Sequence, residues 1–473
     1  MIERNEVYIN GRWQPAHGTE VLEVTDSNTE QVIARVRSAN VGDARAAVAA
    51  ARAAFGPWSR TRIADRVAWL LRIADGLQAR SEELTQTIAR EVGMPRRMAA
   101  RVQVGNPIEN WRRTAAQAEH VVWREQVGHS TVVREPVGVV VAITPWNFPL
   151  HQITLKVAAA LAAGCTVVLK PSEVAPLNAF ILAEVIDALS LPAGVFNLVT
   201  GTGEIGEALV ADADVDAVSF TGSTRAGRRV GAVAAATVKR VRLELGGKSA
   251  SVVLDDADLG AAVKGTLAAC FLNSGQACNA LSRMLVPAAR HDEACKLARE
   301  AAEGFTVGAA SESTSKLGPL VSTAQFDRVQ GYIEAGISEG AQLVTGGSGR
   351  PPGLEQGYFV RPTVFGRVTP AMKIAREEIF GPVLSIMPYD SESEAIAIAN
   401  GTDYGLAAAV WSASDERAQA VAAQLRAGQV DINGAGYNPL APFGGFRQSG
   451  HGREAGRYGI EEFLELKSIQ QRG

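Results

Sequence analysis

The stretch Phe271-Leu272-Asn273-Ser274-Gly275-Gln276-Ala277-Cys278 ends in a cysteine approached through small and polar residues. A thiol attacks carbon as the thiolate, and the Ser-Gly-Gln-Ala approach supplies a flexible turn from which the Cys278 backbone N–H can point at a developing oxyanion. The competing reading is a small buried hydrophobe, like Cys165, Cys270 and Cys295. Two upstream stretches bear on the choice. Leu243-Glu244-Leu245-Gly246-Gly247-Lys248-Ser249 sets a carboxylate in an apolar, strand-like run that ends in paired glycines, where desolvation raises the Glu244 pKa toward that of a useful base. Ile143-Thr144-Pro145-Trp146-Asn147-Phe148-Pro149 holds an amide between aromatics and prolines, where a stiff backbone can aim the Asn147 N–H₂ at a carbonyl oxygen. Nucleophile, base and oxyanion donor together are the parts of covalent chemistry at a carbonyl.

Such residues need a frame. From Val137 to Leu245 apolar runs alternate with helical periodicity: strands over 138–143, 165–170, 195–199, 217–221 and 240–245, helices over 151–163, 176–189, 204–211 and 225–236. Strands alternating with helices imply a doubly wound, Rossmann-like parallel sheet with ligands at the C-terminal strand ends. Residues 250–432 repeat the alternation, with strands at 252–254, 283–286 and 378–387 and helices at 257–274, 290–304 and 322–340. This is a second α/β domain, with Cys278 at a helix end. The stretch from Asp431 to Pro442 is rich in Asn, Gly and Pro and suits a loop over a substrate channel. Residues 7–36 read as short hairpins, and helices are expected at 41–55, 62–91 and 96–117. Alternation returns in 120–136 and 461–469, a small β arm whose open edges call for cover by another chain. The expected domains are 1–119 with 137–246, then 247–448, with the arm formed by 120–136 and 449–473.

Two glycine motifs compete for a dinucleotide. Gly201-Thr202-Gly203-Glu204-Ile205-Gly206 matches GxGxxG after an apolar run and before a helix, so the dinucleotide rule taken alone selects it. Phe220-Thr221-Gly222-Ser223-Thr224-Arg225-Ala226-Gly227 has one more residue between its glycines and also joins strand to helix. Gly246-Gly247-Lys248-Ser249 resembles the end of a P-loop, but Arg242 stands where that motif needs its first glycine, and no GxSxG elbow occurs.

Composition narrows the field. The 473 residues suit two or three domains, with 47% hydrophobic residues for a sizeable core and a net charge of −3 with both signs interspersed. That balance gives no footprint for nucleic acid or a membrane surface. Four cysteines without CxxC pairs and six histidines without a ligand-like cluster argue against a metal site and a disulfide framework. The polar N-terminus and the shortness of the longest apolar run, Val157 to Leu169, place the expected protein in the cytoplasm.

Taken together, PWNFP at 145–149, KPSE at 170–173, FTGSTRAG at 220–227, ELGGKS at 244–249, GQAC at 275–278, EEIFGPV at 377–383 and PFGGFRQSG at 442–450 resemble the NAD(P)-dependent aldehyde dehydrogenase superfamily, in its order and over essentially the whole chain. The resemblance implies that Cys278 attacks an aldehyde while Asn147 and the Cys278 N–H hold the oxyanion. Hydride then passes to NAD, and Glu244 activates water to hydrolyse the thioester. It assigns the pyrophosphate to Gly222, Ser223 and Gly227, leaving 201–206 as a turn, and implies cofactor roles for Thr144, Pro145, Trp146 and Gly246. Lys170 and Glu173 match positions that hold the adenosine ribose, and Glu378 with Phe380 the nicotinamide ribose. The Glu173 carboxylate suits NAD and repels a 2′-phosphate, although the family sometimes takes NADP with this glutamate. Subunits joined through the arm imply a homodimer or homotetramer. Lys156 and Glu454 fall on recurrent positions, but a helix-surface lysine and a carboxylate beside Arg453 have ordinary salt-bridge explanations. His151, Gln152 and Asn279 are polar where apolar residues are often seen, which suggests a partly polar channel for an oxo-acid or hydroxylated aldehyde. The alternatives are a CoA-acylating relative, disfavoured because Glu244 is retained, and a catalytically silent member of the fold.

Overall fold

In the computed structural model, which describes residues 1–472, an eight-stranded sheet runs in the order Gly450–His451, Arg240–Glu244, Ala217–Thr221, Val139–Ile143, Thr166–Lys170, Phe196–Leu198, Glu6–Ile9, Arg12–Pro15. The five strands from Arg240–Glu244 to Phe196–Leu198 are parallel, and antiparallel strands close both edges. Numbered along the chain, those five lie in the order 3-2-1-4-5, so the winding reverses between Val139–Ile143 and Ala217–Thr221 and opens a crevice at their C-terminal ends. The three central strands, Ala217–Thr221, Val139–Ile143 and Thr166–Lys170, are buried at every residue because helices cover both faces. Alternation sorts the side chains: Val140 and Ala142 join the core beneath Pro149–Ala163 and Leu177–Leu189, while Val139, Val141 and Ile143 join the core beneath Val41–Ser59 and Gly203–Ala211.

A second sheet of seven strands runs Gln342–Thr345, Thr363–Gly366, Val383–Tyr389, Arg283–Pro287, Ala250–Val253, Ala407–Trp411, Gln429–Ile432, parallel except for its first pair. The strand expected over 378–387 begins only at Val383, because Phe380 takes a left-handed φ of 64° and Pro382 has no N–H to give a ladder. The loop expected from Asp431 starts at Asn433, since Gln429–Ile432 is an edge strand.

The long helix expected over 62–91 is two helices, Ile63–Ala79 and Ser81–Glu91, broken at Arg80. Residues 96–117 form a helix whose second turn, Ala99–Gly105, is π-helical. That wide turn lies just before Pro107, which lacks the N–H that would close the next turn and crowds the carbonyl behind it. The segment expected as a turn over 201–206 opens the helix Gly203–Ala211.

Leu464–Gln470, Ser130–Pro136 and Arg124–Val127 make a separate three-stranded antiparallel sheet. Gly450–His451 and the helix Gly456–Glu461 do not belong to this arm: His451 pairs with Leu243 at the edge of the first sheet, and the helix packs on Asn106–Ala118 and Pro149–Ala163. Among the described residues no helix is long and apolar enough to cross a membrane, and no group of three or more His, Cys, Asp or Glu is placed to hold a metal ion.

Candidate active site

The Cys278 thiol hangs from a strained turn. Helix Leu259–Phe271 stops at three successive left-handed residues, Asn273, Ser274 and Gly275, with φ of 53°, 55° and 77°. A non-glycine residue in that region costs about 1–3 kcal/mol, so the turn is held from outside. Ser274 Oγ donates to the Gly318 carbonyl at 2.8 Å, Gln276 Oε1 accepts from Val321 N–H at 2.9 Å, and Gln276 Nε2 donates to the Asn273 carbonyl at 3.0 Å. A Cβ on Gly275 would stand 2.1 Å from the Gly381 carbonyl carbon, so only glycine fits there. The turn expected to be flexible is thus a fixed mount.

Asn147 follows Val139–Ile143 at the crevice and is locked to the same turn. Its Nδ2 donates to the Gln276 carbonyl at 3.0 Å, and its own carbonyl accepts from Asn273 Nδ2 at 2.9 Å and Gln103 Nε2 at 2.8 Å. An amide nitrogen carries two hydrogens, so one N–H remains for a substrate oxygen. Asn147, Glu244 and Cys278 line one cavity of about 230 Å³.

Glu244 ends the strand Arg240–Glu244, 2% exposed, and neither carboxylate oxygen has a hydrogen-bond partner. Burial first, and then the charge of Glu454, push its pKa up to about 8. Burial, followed by the charge of Glu244, likewise pushes the Cys278 thiol well above its ordinary range. At neutral pH the resting pair therefore holds its protons.

The expectation for Lys156 and Glu454 is corrected. They are 0% and 1% exposed, with Lys156 Nζ donating to Glu454 Oε1 at 2.5 Å and to Thr221 Oγ1 at 2.6 Å. No face of Pro149–Ala163 is solvated, since the helix is packed between the sheet and the surrounding helices, so a lysine there points into the interior. This pair acts on Glu244: the Glu454 charge raises its pKa and the Lys156 charge lowers it.

Pro145, Trp146, Gly222, Ser223, Gly246, Glu378 and Phe380 line the same cavity as the thiol. The Trp146 and Phe380 rings meet edge-to-face at 5.4 Å, and Glu378 Oε1 accepts from Gly247 N–H at 3.0 Å. A Cβ on Gly246 would stand 2.2 Å from Glu378 Oε2. Arg328 donates to the Glu378 carbonyl at 2.6 Å and Gln325 to that of Phe380 at 2.7 Å, holding a segment that no sequence motif ties to 322–340. Lys170, 3% exposed, lines a neighbouring cavity of about 260 Å³ between the helices Gly203–Ala211 and Thr224–Ala235. Gly203 and Gly206 also line it, so the passed-over glycine motif supplies one wall. Thr144, Glu173 and Gly227 line neither cavity. Thr144 N–H donates to the Lys170 carbonyl at 3.1 Å, Glu173 Oε2 meets Lys170 Nζ at 3.5 Å, and Gly227 lies where a Cβ would press on Leu245.

On the other side of the thiol is a channel of about 280 Å³ whose wall includes Phe148, His151, Gln152, Leu272, Asn279 and Phe443. His151 is neutral, its pKa pushed down to about 4 chiefly by burial. Among the described residues Cys278 alone lines both this channel and the cavity of Glu244 and Glu378. A thiol at the junction of two cavities has room for a ligand on each side.

The profile of the aldehyde dehydrogenase family matches residues 13–469. The chain belongs to that family. This aldehyde dehydrogenase is 49% identical over 471 residues to a 3-succinoylsemialdehyde-pyridine dehydrogenase of a Pseudomonas species, with 99% of each chain covered. A cysteine-to-alanine variant of aldehyde dehydrogenase C from Pseudomonas syringae, solved with NAD+ and octanal, superposes with a TM-score of 0.97 at 48% identity, covering 98% of this chain and 96% of that one. The NAD+ complex of a Mycobacterium tuberculosis aldehyde dehydrogenase gives 0.97 at 42% identity, covering 100% and 99%.

Proposed function

We infer that this aldehyde dehydrogenase converts an aldehyde to its carboxylic acid with NAD as hydride acceptor, through a covalent adduct on Cys278. The observation that carries the reading is the thiol's place at the junction of the two cavities, with Glu244 and Asn147 beside it. The residues present fit a dinucleotide. The cavity between Gly203–Ala211 and Thr224–Ala235 takes the apolar adenine end, the N-terminus of the twelve-residue helix Thr224–Ala235 faces phosphate with Gly222 and Ser223 before it, and Glu378 with Phe380 flanks the nicotinamide end. Lys170 and Glu173 are assigned to the adenosine ribose. Thr144 and Gly227 shape this site from behind.

In the ionised fraction of Glu244 the carboxylate takes the Cys278 proton and passes it to solvent, and the thiolate sulfur adds to the aldehyde carbon. The carbonyl oxygen becomes an oxyanion, held by the free N–H of Asn147 and the Cys278 backbone N–H. Bound NAD supplies the hydride acceptor that turns this adduct into a thioester. Glu244, as carboxylate, takes a proton from water as the hydroxyl adds to the thioester carbon, and the carboxylic acid leaves with the thiolate restored. A silent scaffold has no use for a carboxylate kept without partners beside a strained cysteine. The same reading assigns 1–119 with 137–246 to the cofactor, 247–448 to catalysis, and the arm to a homodimer or homotetramer. Four free cysteines suit a reducing, cytoplasmic setting.

The test is Glu244→Gln. The variant acylates but hydrolyses slowly, so mixing with NAD and aldehyde gives a burst of NADH near one equivalent per site, and mass spectrometry finds an acyl group on the Cys278 peptide. Cys278→Ala gives no burst. Turnover of Glu244→Gln at the wild-type rate without the acyl peptide overturns the assignment of the base, and NADH formation by Cys278→Ala overturns that of the nucleophile.

A further inference from the structure

We propose that the aldehyde carries a carboxylate at the far end of an apolar stem, an ω-oxo acid, and that Arg101 is the specificity residue that reads it. The inference rests on the assignment of Cys278 as the nucleophile and concerns the channel on the opposite side from Glu378. Its apolar wall includes Phe148, Leu155, Leu272 and Phe443, which suits a hydrocarbon stem. Among the described residues that line it, Arg101 is the one charged group, and no carboxylate lines it.

Several arginines around Arg101 are paired, while Arg97, Arg113 and the exposed Arg101 are not, and of these three Arg101 alone lines the channel. Arg96 pairs with Glu82, Arg80 with Glu83 and Glu184, and Arg112 with Glu109 and Asp75. Arg101 has no ion pair among the described residues, and its side chain donates only to Met98 Sδ, at 3.6 Å. An unneutralised guanidinium on an otherwise uncharged channel attracts an anion, and its planar fork matches the two oxygens of a carboxylate. The arginine is also held in register with the chemistry. It belongs to the π-helical turn Ala99–Gly105, and from that turn buried Gln103 donates to the Asn147 carbonyl at 2.8 Å. Wide turns of this kind recur at functional sites. Here it joins the peptide of the oxyanion amide to the arginine of the channel, so the far end of a substrate is gauged from the end that reacts.

Octanal and 8-oxooctanoate have the same chain length and differ in the terminal charge, so the ratio of their kcat/KM values isolates it. Wild type should favour the oxo acid by about tenfold, the scale of a charge-assisted pair. The advantage should sit in KM and shrink at high salt. Arg101→Leu should lower the ratio about tenfold, Arg101→Lys should keep part of it, and Arg101→Glu should push it below that of Arg101→Leu. A wild-type ratio near one, or a ratio that Arg101→Leu leaves in place, overturns this inference while leaving aldehyde oxidation standing. Failure of both aldehydes to yield NADH removes the aldehyde-oxidation reading, and this inference falls with it.

Discussion

Glu244 shows what a buried carboxylate without an ion pair costs. Its pKa is an ordinary 4.5 in the unfolded chain and about 8 in the folded protein, so the folded state binds this proton more tightly. The stability that this confers is fully present below about pH 4.5 and is lost as the pH rises through about 8. Glu244→Gln keeps the shape and removes the titration. It should therefore raise the melting temperature at pH 8 and do so less at pH 5, with a difference of about 2–4 °C for each kcal/mol in a domain of this size. Calorimetry of both proteins at the two pH values checks this, and an equal shift at both would show that Glu244 is not held protonated. The burial of Glu244 was legible from a charge in an apolar strand ending at glycines. The burial of Lys156 and Glu454 was not, because a lysine 298 positions before its carboxylate gives no local sign that the two meet.

At the scale of elements, cofactor choice hangs on the end of one strand. Thr166–Lys170 delivers Lys170 to the cavity between Gly203–Ala211 and Thr224–Ala235, proposed for the adenine end, and the turn after it brings the half-exposed Glu173 carboxylate to 3.5 Å from the lysine. A 2′-phosphate there meets that carboxylate at close range. Wild type should prefer NAD over NADP, and Glu173→Ala should narrow the ratio of kcat/KM values by about tenfold. A preference for NADP in wild type would contradict it. The strands themselves were readable because a strand covered by helices on both faces is a continuous apolar run, as in Val139-Val140-Val141-Ala142-Ile143. The elements that escaped are those set by local backbone geometry or by distant partners. The break at Arg80 carries no glycine or proline to announce it, the wide turn before Pro107 looks helical in its periodicity, and Gly450–His451 becomes a strand only because Leu243 and Glu244 offer it an edge.

For the whole molecule, the arm is the part that does not stand alone. Leu464–Gln470 is exposed beyond its first residue, with Leu466 at 67% and Val127, on the opposite edge strand, at 52%. A sheet of three strands with so little covered surface is marginal by itself. Leu466→Asp should shift the protein to smaller species in sedimentation velocity while leaving its circular dichroism intact, and an unchanged sedimentation coefficient would remove the arm from the interface. The bonds between Asn147 and the Cys278 turn carry a further consequence, for the order in which the molecule becomes itself. The Asn147 amide reaches the Gln276 carbonyl across 129 residues of sequence, and Asn273 returns to Asn147 across 126. Contacts that distant close late, after each sheet has formed its own local pairings. A chain emerging from the ribosome therefore presents Asn147 and Glu244 before the Cys278 turn, and Glu378 and Phe380 later still. Until those two distant segments have met, the turn that carries Cys278 lacks the bonds that tie it to Asn147.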